Sequence, residues 1–303
     1  MINLERKPKI CVDLIMKQQI VVMELVLRFI AMMSWEETIV HIREQSEYRQ
    51  LVEDAYYSKD PLKSFQKFYQ GEEYHATKAC FEKYGSFLGY KILDLGAGHG
   101  MSSVALAKDG YDVCAVEPDD SSIVGVSAIL KLQSLVEVPP FKVIQSKVEN
   151  LEIEEGSFDI VYARQAMHHA DHLNNFVKKA YTCLKPGGLF MTARDHVINE
   201  GQLDEFQKTH SLHKFYQGEV AYTLKEYLSA FHESEFKLKK VFKPYDSPIN
   251  YYPKTTDQLK EKVSKLTFGQ SSEIIFKCAQ KYLNYKNRNI PGRLYSFILE
   301  KPK

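Results

Sequence analysis

The chain has 303 residues, is 44% hydrophobic and carries 40 Lys+Arg against 39 Asp+Glu, a formal charge of +1. Its apolar content suffices for a sizeable core, and its charge balance excludes the strong global field that would draw in nucleic acid or an anionic membrane. Five scattered cysteines, Cys11, Cys80, Cys114, Cys183 and Cys278, form no Cys-x-x-Cys pair, which argues against a disulfide framework or a structural zinc site. Cys114 and Cys183 sit inside apolar elements and read as buried thiols.

Residues 19–34 are strongly apolar, but Asp13, Lys17, Glu24 and Arg28 interrupt the stretch from 10 to 34, so no uncharged transmembrane span exists. A signal peptide would carry its apolar core nearer the start, which leaves the cytoplasm as the default compartment. The stretch reads as an amphipathic helix docked on the body; a peripheral membrane helix and a homodimer interface are the competing readings. Residues 1–88 have helical periodicity and no strand signal, which predicts an N-terminal cap of several helices. Within it, Lys67-Phe68-Tyr69-Gln70-Gly71-Glu72 is echoed by Lys214-Phe215-Tyr216-Gln217-Gly218-Glu219. Either the echo is coincidence, or both hexamers begin helices at the mouth of a pocket, with Gly at the cap and Glu in the first turn.

The apolar run Ile92 to Leu95 predicts a strand over 91–95, broken at Gly96, Gly98 and Gly100 and followed by an amphipathic helix over 101–109. Glycines at such a turn let the backbone approach a ligand closely. A second strand, 112–116, leads directly into Glu117, about 20 residues past the turn, where a carboxylate can accept both hydroxyls of a ribose. Further strands are predicted at 141–145, 158–163, 188–193 and 236–242, with helices near 120–135, 172–184 and 219–234. The alternation implies a doubly wound, mostly parallel α/β sheet. About 50 residues then intervene, with two polar helices near 255–266 and 271–287, before an apolar run from Leu294 to Leu299. An insertion that long is usually functional or an added subdomain.

With Asp94 before the glycine turn and Glu117 after it, with Phe158-Asp159-Ile160-Val161 and with Leu184-Lys185-Pro186-Gly187-Gly188-Leu189, the chain resembles class I S-adenosylmethionine-dependent methyltransferases over residues 88–243. The spacing Gly-x-Gly-x-Gly differs from the nicotinamide fingerprint. The resemblance implies a seven-stranded Rossmann-like sheet whose last strand, here 294–299, is antiparallel. It divides the chain into a helical cap at 1–88, a cofactor-binding core at 89–243, a helical insert at 244–292 and the last core strand at 293–303.

The resemblance also implies a cofactor site for S-adenosyl-L-methionine. Asp94, Gly96 and Gly98 would lie beside its methionine part, Glu117 on the ribose, and Pro118 and Asp119 at the border of the adenine. In relatives an Asp after the third strand often bonds the adenine amino group; here Lys147 takes that place and cannot accept. Adenine contact would pass to the Val148 backbone or to Glu149. The backbone at Arg164 and Gln165 would face the amino and sulfonium end, and His168-His169 resembles the stretch found here in ubiquinone/menaquinone biosynthesis methyltransferases.

Seven of the ten histidines lie between 168 and 232. They read as polar lining, as one or two general bases, or as a metal site near His168 or His169 with Asp195 and His196. No spacing matches a standard ligand motif, so no metal ligand is assigned. His196, expected just beyond the fifth strand with Asp195 to orient it, is the first choice of base, and His169 the second. Tyr216, Tyr222 and Tyr227 would supply an aromatic wall.

The leading expectation is therefore methyl transfer to an oxygen, nitrogen or carbon atom of a small molecule. A methyltransferase acting on RNA or protein is one alternative; lysines of the insert favour it, but Asp257, Glu261 and Glu273 dilute them. A non-catalytic protein that binds the cofactor is the other.

Overall fold

The computed structural model describes residues 33–85, 90–216, 218–267 and 272–303. Cys11 and the apolar stretch up to residue 32, expected to dock as an amphipathic helix, lie outside the described residues. Among the described residues no helix is long and apolar enough to cross a membrane.

One sheet organises the chain. Its strands are β1 (Lys91–Leu95), β2 (Asp112–Glu117), β3 (Lys142–Gln145), β4 (Phe158–Arg164), β5 (Leu184–Ile198), β6 (Tyr222–Thr223), β7 (Lys237–Phe242) and β8 (Arg293–Glu300). Their order is β3-β2-β1-β4-β5-β8-β7, and β6 pairs with the far end of β5. Pairing is parallel from β3 to β5, while β8 runs antiparallel to both β5 and β7. This is the doubly wound arrangement that the alternation predicts. The order reverses between β2-β1 and β4, and at such a switch point a doubly wound sheet leaves its binding crevice at the carboxyl ends of the strands, here those of β1 and β4.

Two features differ from expectation. The two-residue β6 adds an eighth strand to the expected seven. The fifth strand runs well past residue 193, because β8 continues to pair with it at Asp195–Tyr295, His196–Leu294 and Val197–Arg293. Asp195 and His196 therefore lie inside the strand and not beyond it. The ladder shifts between Thr192 and Asp195, where Arg194 takes φ 63. That irregularity re-aims the side chains on either side of it.

Each face of the sheet is buried under helices. On one side Leu93, Val161, Phe190 and Phe297 pack with Phe176 and Val177 of the helix Leu173–Cys183 and Tyr227 and Phe231 of the helix Leu224–Glu233. On the other, Ile92, Ile160, Met191 and Ile298 pack with Val104 of the helix Met101–Lys108, Phe68 of Pro61–Tyr69 and Phe81 of Glu72–Tyr84. Cys80, Cys114 and Cys183 are buried free thiols, and Cys278 is exposed.

The hexamer echo resolves into two different structures. Gly71 caps the helix Glu72–Tyr84, with Glu72 and Glu73 in its first turn. Gly218 and Glu219 begin no helix. That helix starts at Leu224 instead of near 219, because Thr223 and Glu226 form a capping box, with Thr223 N–H donating to Glu226 Oε2 at 2.6 Å.

In the insert, the helices Thr256–Leu266 and Glu273–Lys286 pack through Leu259, Val263 and Phe276 onto Tyr251 of the short helix Pro248–Tyr251. The insert is joined to the helices before β1. The Glu72 carboxylate accepts from Thr256 N–H at 2.8 Å and from its hydroxyl at 2.6 Å, and the Tyr56 and Tyr252 rings stack at 5.2 Å.

Candidate active site

At the end of β1 the chain turns through Gly96, Gly98 and Gly100, with φ of 69, 57 and 84. A Cβ at Gly96 would lie 2.5 Å from the Ala166 Cβ, so this glycine lets β1 close against the turn after β4. A Cβ at Gly98 would meet nothing within 4 Å among the described residues, so its backbone borders space that they leave open. Glu117, at the end of β2, accepts from Gly98 N–H at 2.7 Å and from Asp119 N–H at 3.2 Å. The carboxyl is nonetheless pushed up to about 7, because burial outweighs those two bonds. Asp94 faces inward: it accepts from Ser103 at 2.5 Å, and burial raises it to about 6. Tyr57 and His99 cover the turn, ring to ring at 4.5 Å, and Trp35 packs on Tyr57.

The remaining residues expected at the cofactor lie at or just after the ends of β2, β3 and β4. Pro118 follows Glu117 directly, and its carbonyl takes a long bond from Gln145. Val148 buries its side chain in the core on a 3-10 turn. Glu149 accepts from Asp171 N–H at 3.0 Å, and Lys147 pairs with the Asp171 carboxylate at 2.6 Å. Gln165 takes φ 50 at the end of β4 and donates its N–H to the Ala193 carbonyl at 2.8 Å.

Sequence reading missed a buried ion cluster beside this crevice. The Glu73 carboxylate, 1% exposed, receives Arg164 Nε at 2.6 Å and Arg164 Nη2 at 3.3 Å, and Arg194 Nε stands 3.8 Å away. Tyr56 donates to Glu73, and the Arg164 guanidinium lies over the Tyr56 and Phe68 rings. Arg194 Nη1 donates to the Ile249 carbonyl at 2.8 Å, tying β5 to the insert. The two guanidiniums hold Glu73 below the ordinary carboxylate range despite its burial. Glu73 precedes β1 by a whole helix, and no local spacing links it to Arg164 or Arg194.

A second cluster lies across β4 and β5. His168 and His169 ride the 3-10 turn Met167–His169 after β4, His196 is in β5, His210 ends the helix Leu203–Thr209, and Glu219 follows in a loop. Asp195 orients His168, not its neighbour His196: it faces His168 Nδ1 at 3.0 Å, accepts from His168 N–H at 3.2 Å and takes the Thr192 hydroxyl. Along a strand, adjacent side chains point to opposite faces, which separates Asp195 from His196. His196 Nδ1 instead faces the Gly292 carbonyl at 2.9 Å, and His169 Nδ1 faces the Gly218 carbonyl at 3.3 Å. Carbonyls only accept, so both nitrogens carry the proton and both Nε2 atoms present lone pairs. Burial lowers His168 and His196 well below the ordinary imidazole value, and lowers His169 and His210 as well.

The aromatic wall is only partly formed. Tyr216 packs on Trp35, but Tyr227 is core, with its hydroxyl on the His196 carbonyl at 3.1 Å, and Tyr222 donates to the Ala170 carbonyl.

Comparison with known proteins bears on this site. Residues 93–192 match the family model described as a methyltransferase domain. Over 150 residues the chain is 31% identical to a sterol 24-C-methyltransferase of Saccharomyces cerevisiae, covering 47% of this chain and 39% of the relative. Over 107 residues it is 32% identical to a ubiquinone biosynthesis O-methyltransferase of Paramagnetospirillum magneticum, covering 35% of this chain and 41% of the relative. The chain thus matches well under two thirds of the length of these relatives. Among solved structures, the geranyl diphosphate C-methyltransferase of Streptomyces coelicolor A3(2), determined with Mg2+, geranyl-S-thiolodiphosphate and S-adenosyl-L-homocysteine, superposes with a TM-score of 0.54 at 14% identity. That match covers 75% of this chain and 76% of that one, a likeness of fold.

Proposed function

Because the chain belongs to the class I S-adenosylmethionine-dependent methyltransferase superfamily, with its methyltransferase domain at residues 93–192, we propose that it transfers a methyl group from S-adenosylmethionine to an oxygen, nitrogen or carbon nucleophile of a small molecule. The observation that carries this reading is the pairing of Gly98 with Glu117. The turn leaves open space at Gly98, and the carboxylate one strand away keeps acceptor capacity beyond its two backbone bonds. A buried carboxyl raised to about 7 is short of stabilising partners, and a pair of ribose hydroxyls supplies them.

The bound cofactor supplies an electrophilic methyl on a sulfonium, so the protein needs chiefly to align, desolvate and accept a proton. In this reading Glu117 holds the ribose, with Pro118, Val148 and Glu149 at the adenine end. The backbone at Gly96, Arg164 and Gln165, its Gly96 and Gln165 N–H groups held by Val116 and Ala193, borders the sulfonium end, and Asp94 acts from behind the turn through Ser103. The helices before β1 and the insert at 244–292 cover the acceptor side as cap and lid over the core at 89–243. His196 and His169 are the proposed bases. Each is neutral and offers an Nε2 lone pair for a proton leaving the acceptor. A small-molecule acceptor, a cytoplasmic location and a homodimer through the N-terminal helices complete the reading.

The test is calorimetry with S-adenosylmethionine, S-adenosylhomocysteine and NAD on wild type and Glu117→Ala. The wild type should bind the first two and not NAD, and the variant should lose about 1–3 kcal/mol. Equal affinity in both proteins would overturn the placement. His196→Ala should lower turnover about 100-fold while cofactor affinity stays near wild type. Full turnover in that variant removes His196 as base.

A further inference from the structure

The Glu219 carboxylate is 3% exposed. Its surroundings are burial and imidazoles, and no hydrogen-bond donor among the described residues stabilises it. His168 Nε2 and His169 Nε2 each stand 4.0 Å from Glu219 Oε2, and His210 Nδ1 stands 4.0 Å from Glu219 Oε1. Each distance is too long for a hydrogen bond and too short to admit a bridging water comfortably. Donor atoms of His168, His169 and Glu219, and separately those of His196, His210 and Glu219, all fall within 4.8 Å of one another.

We propose that the chain binds one divalent transition-metal ion, zinc by its donor chemistry, between Glu219 Oε2 and the imidazoles of His168 and His169, with His210 and His196 adjoining the other carboxylate oxygen. In a tetrahedral shell, ligand atoms about 2.0–2.2 Å from the ion stand roughly 3.3–3.6 Å from one another, so the 4.0 Å separations here need to close by only about half an ångström when an ion enters. The tautomers are arranged for it. His168 turns Nδ1 to Asp195 and His169 turns Nδ1 to the Gly218 carbonyl, which leaves Nε2 of each facing Glu219. His196 is held in the same way by the Gly292 carbonyl. A carboxylate or backbone carbonyl behind the imidazole is the usual support of a metal-binding histidine. His210 Nδ1 is buried with no hydrogen-bond partner. Lone pairs and a carboxylate thus face one another around a gap, an arrangement that repels itself until a cation enters. Two imidazole nitrogens and a carboxylate oxygen suit zinc, whereas magnesium and calcium favour all-oxygen shells. The His169 side chain, 36% exposed, leaves a way in.

The donors come from the turn after β4 and from the loop before β6, so an ion here pins that loop to the sheet. Three protein donors leave the fourth tetrahedral position to water, the open form of a zinc site. Occupancy takes the His169 lone pair and leaves His196 as the proton acceptor.

Full-length protein stripped with a chelator is titrated with zinc by calorimetry, and with cobalt followed by visible absorption. About one equivalent should bind, with the d–d bands of four-coordinate cobalt, and zinc should raise Tm. His169→Ala and Glu219→Ala should weaken zinc about 100-fold or more, and His232→Ala, an exposed histidine outside the cluster, should not. If Glu219→Ala fails to fold, Glu219→Gln, which keeps shape and removes charge, should still lose zinc affinity. No stoichiometric binding by wild type, or wild-type affinity in the cluster variants, overturns the proposal. Titration is read without cofactor or acceptor, so either result leaves the methyl-transfer reading standing.

Discussion

Glu117 and Glu73 are both buried carboxylates, yet their surroundings push them in opposite directions. Glu117 has only backbone donors, and desolvation raises it to about 7; Glu73 has two guanidiniums and stays low. The consequence for Glu117 is a pH dependence of cofactor binding. Ribose hydroxyls donate to the ionised form, so affinity should rise by up to about tenfold per pH unit below 7 and level off above it. Calorimetry from pH 5.5 to 8.5 checks this, with Glu117→Gln as the control that removes the slope; the same slope in both proteins assigns it elsewhere. For Glu73 the consequence is stability. Glu73→Gln leaves Arg164 and Arg194 buried without a counter-charge and should cost about 3–5 kcal/mol in a urea melt. A loss below about 1 kcal/mol would mean that solvent reaches those guanidiniums.

At the scale of elements, the strand–turn–helix at 91–108 separates two jobs that glycine does. Gly96 sits against Ala166 at φ 69, so Gly96→Ala should destabilise the fold by at least about 1–3 kcal/mol through overpacking and positive-φ strain together. Gly98 borders open space at φ 57, so Gly98→Val should abolish cofactor binding by filling that space, at about 1–3 kcal/mol of backbone strain that leaves the sheet folded. Thermal melts and calorimetry on the two variants make the comparison; a folded Gly98→Val protein that binds normally would place the cofactor elsewhere. The long β5 is the other instructive element. Pattern alone ends it near residue 193, because Arg194, Asp195 and His196 are polar. Pairing with β8 and the shift at Thr192 carry it to Ile198 with those polar side chains satisfied inside the protein.

For the whole molecule, the helices before β1 and the insert act on each other. Glu72 accepts two bonds from Thr256, and Arg194 reaches the Ile249 carbonyl. Hydrogen exchange with S-adenosylhomocysteine should therefore show protection at 65–80 and 248–258 together with 94–101. Protection at 94–101 alone would mean that cap and insert stand apart from the crevice. The doubly wound parallel class, most strand positions and the glycine–carboxylate pair were legible in the sequence because each rests on short-range signals: apolar runs, a turn that tolerates positive φ, and a carboxylate at the end of the next strand. What only the tertiary structure decided is which distant polar residues meet. Glu73 finds Arg164 91 positions away, Asp195 turns to His168 rather than His196, and Glu219 leaves the helix start that its hexamer suggests to sit among histidines from three other segments. The physical reason is that burial, not spacing, selects these pairs: a charge or lone pair taken from water must be met by whatever the fold brings beside it, and no local period encodes that encounter.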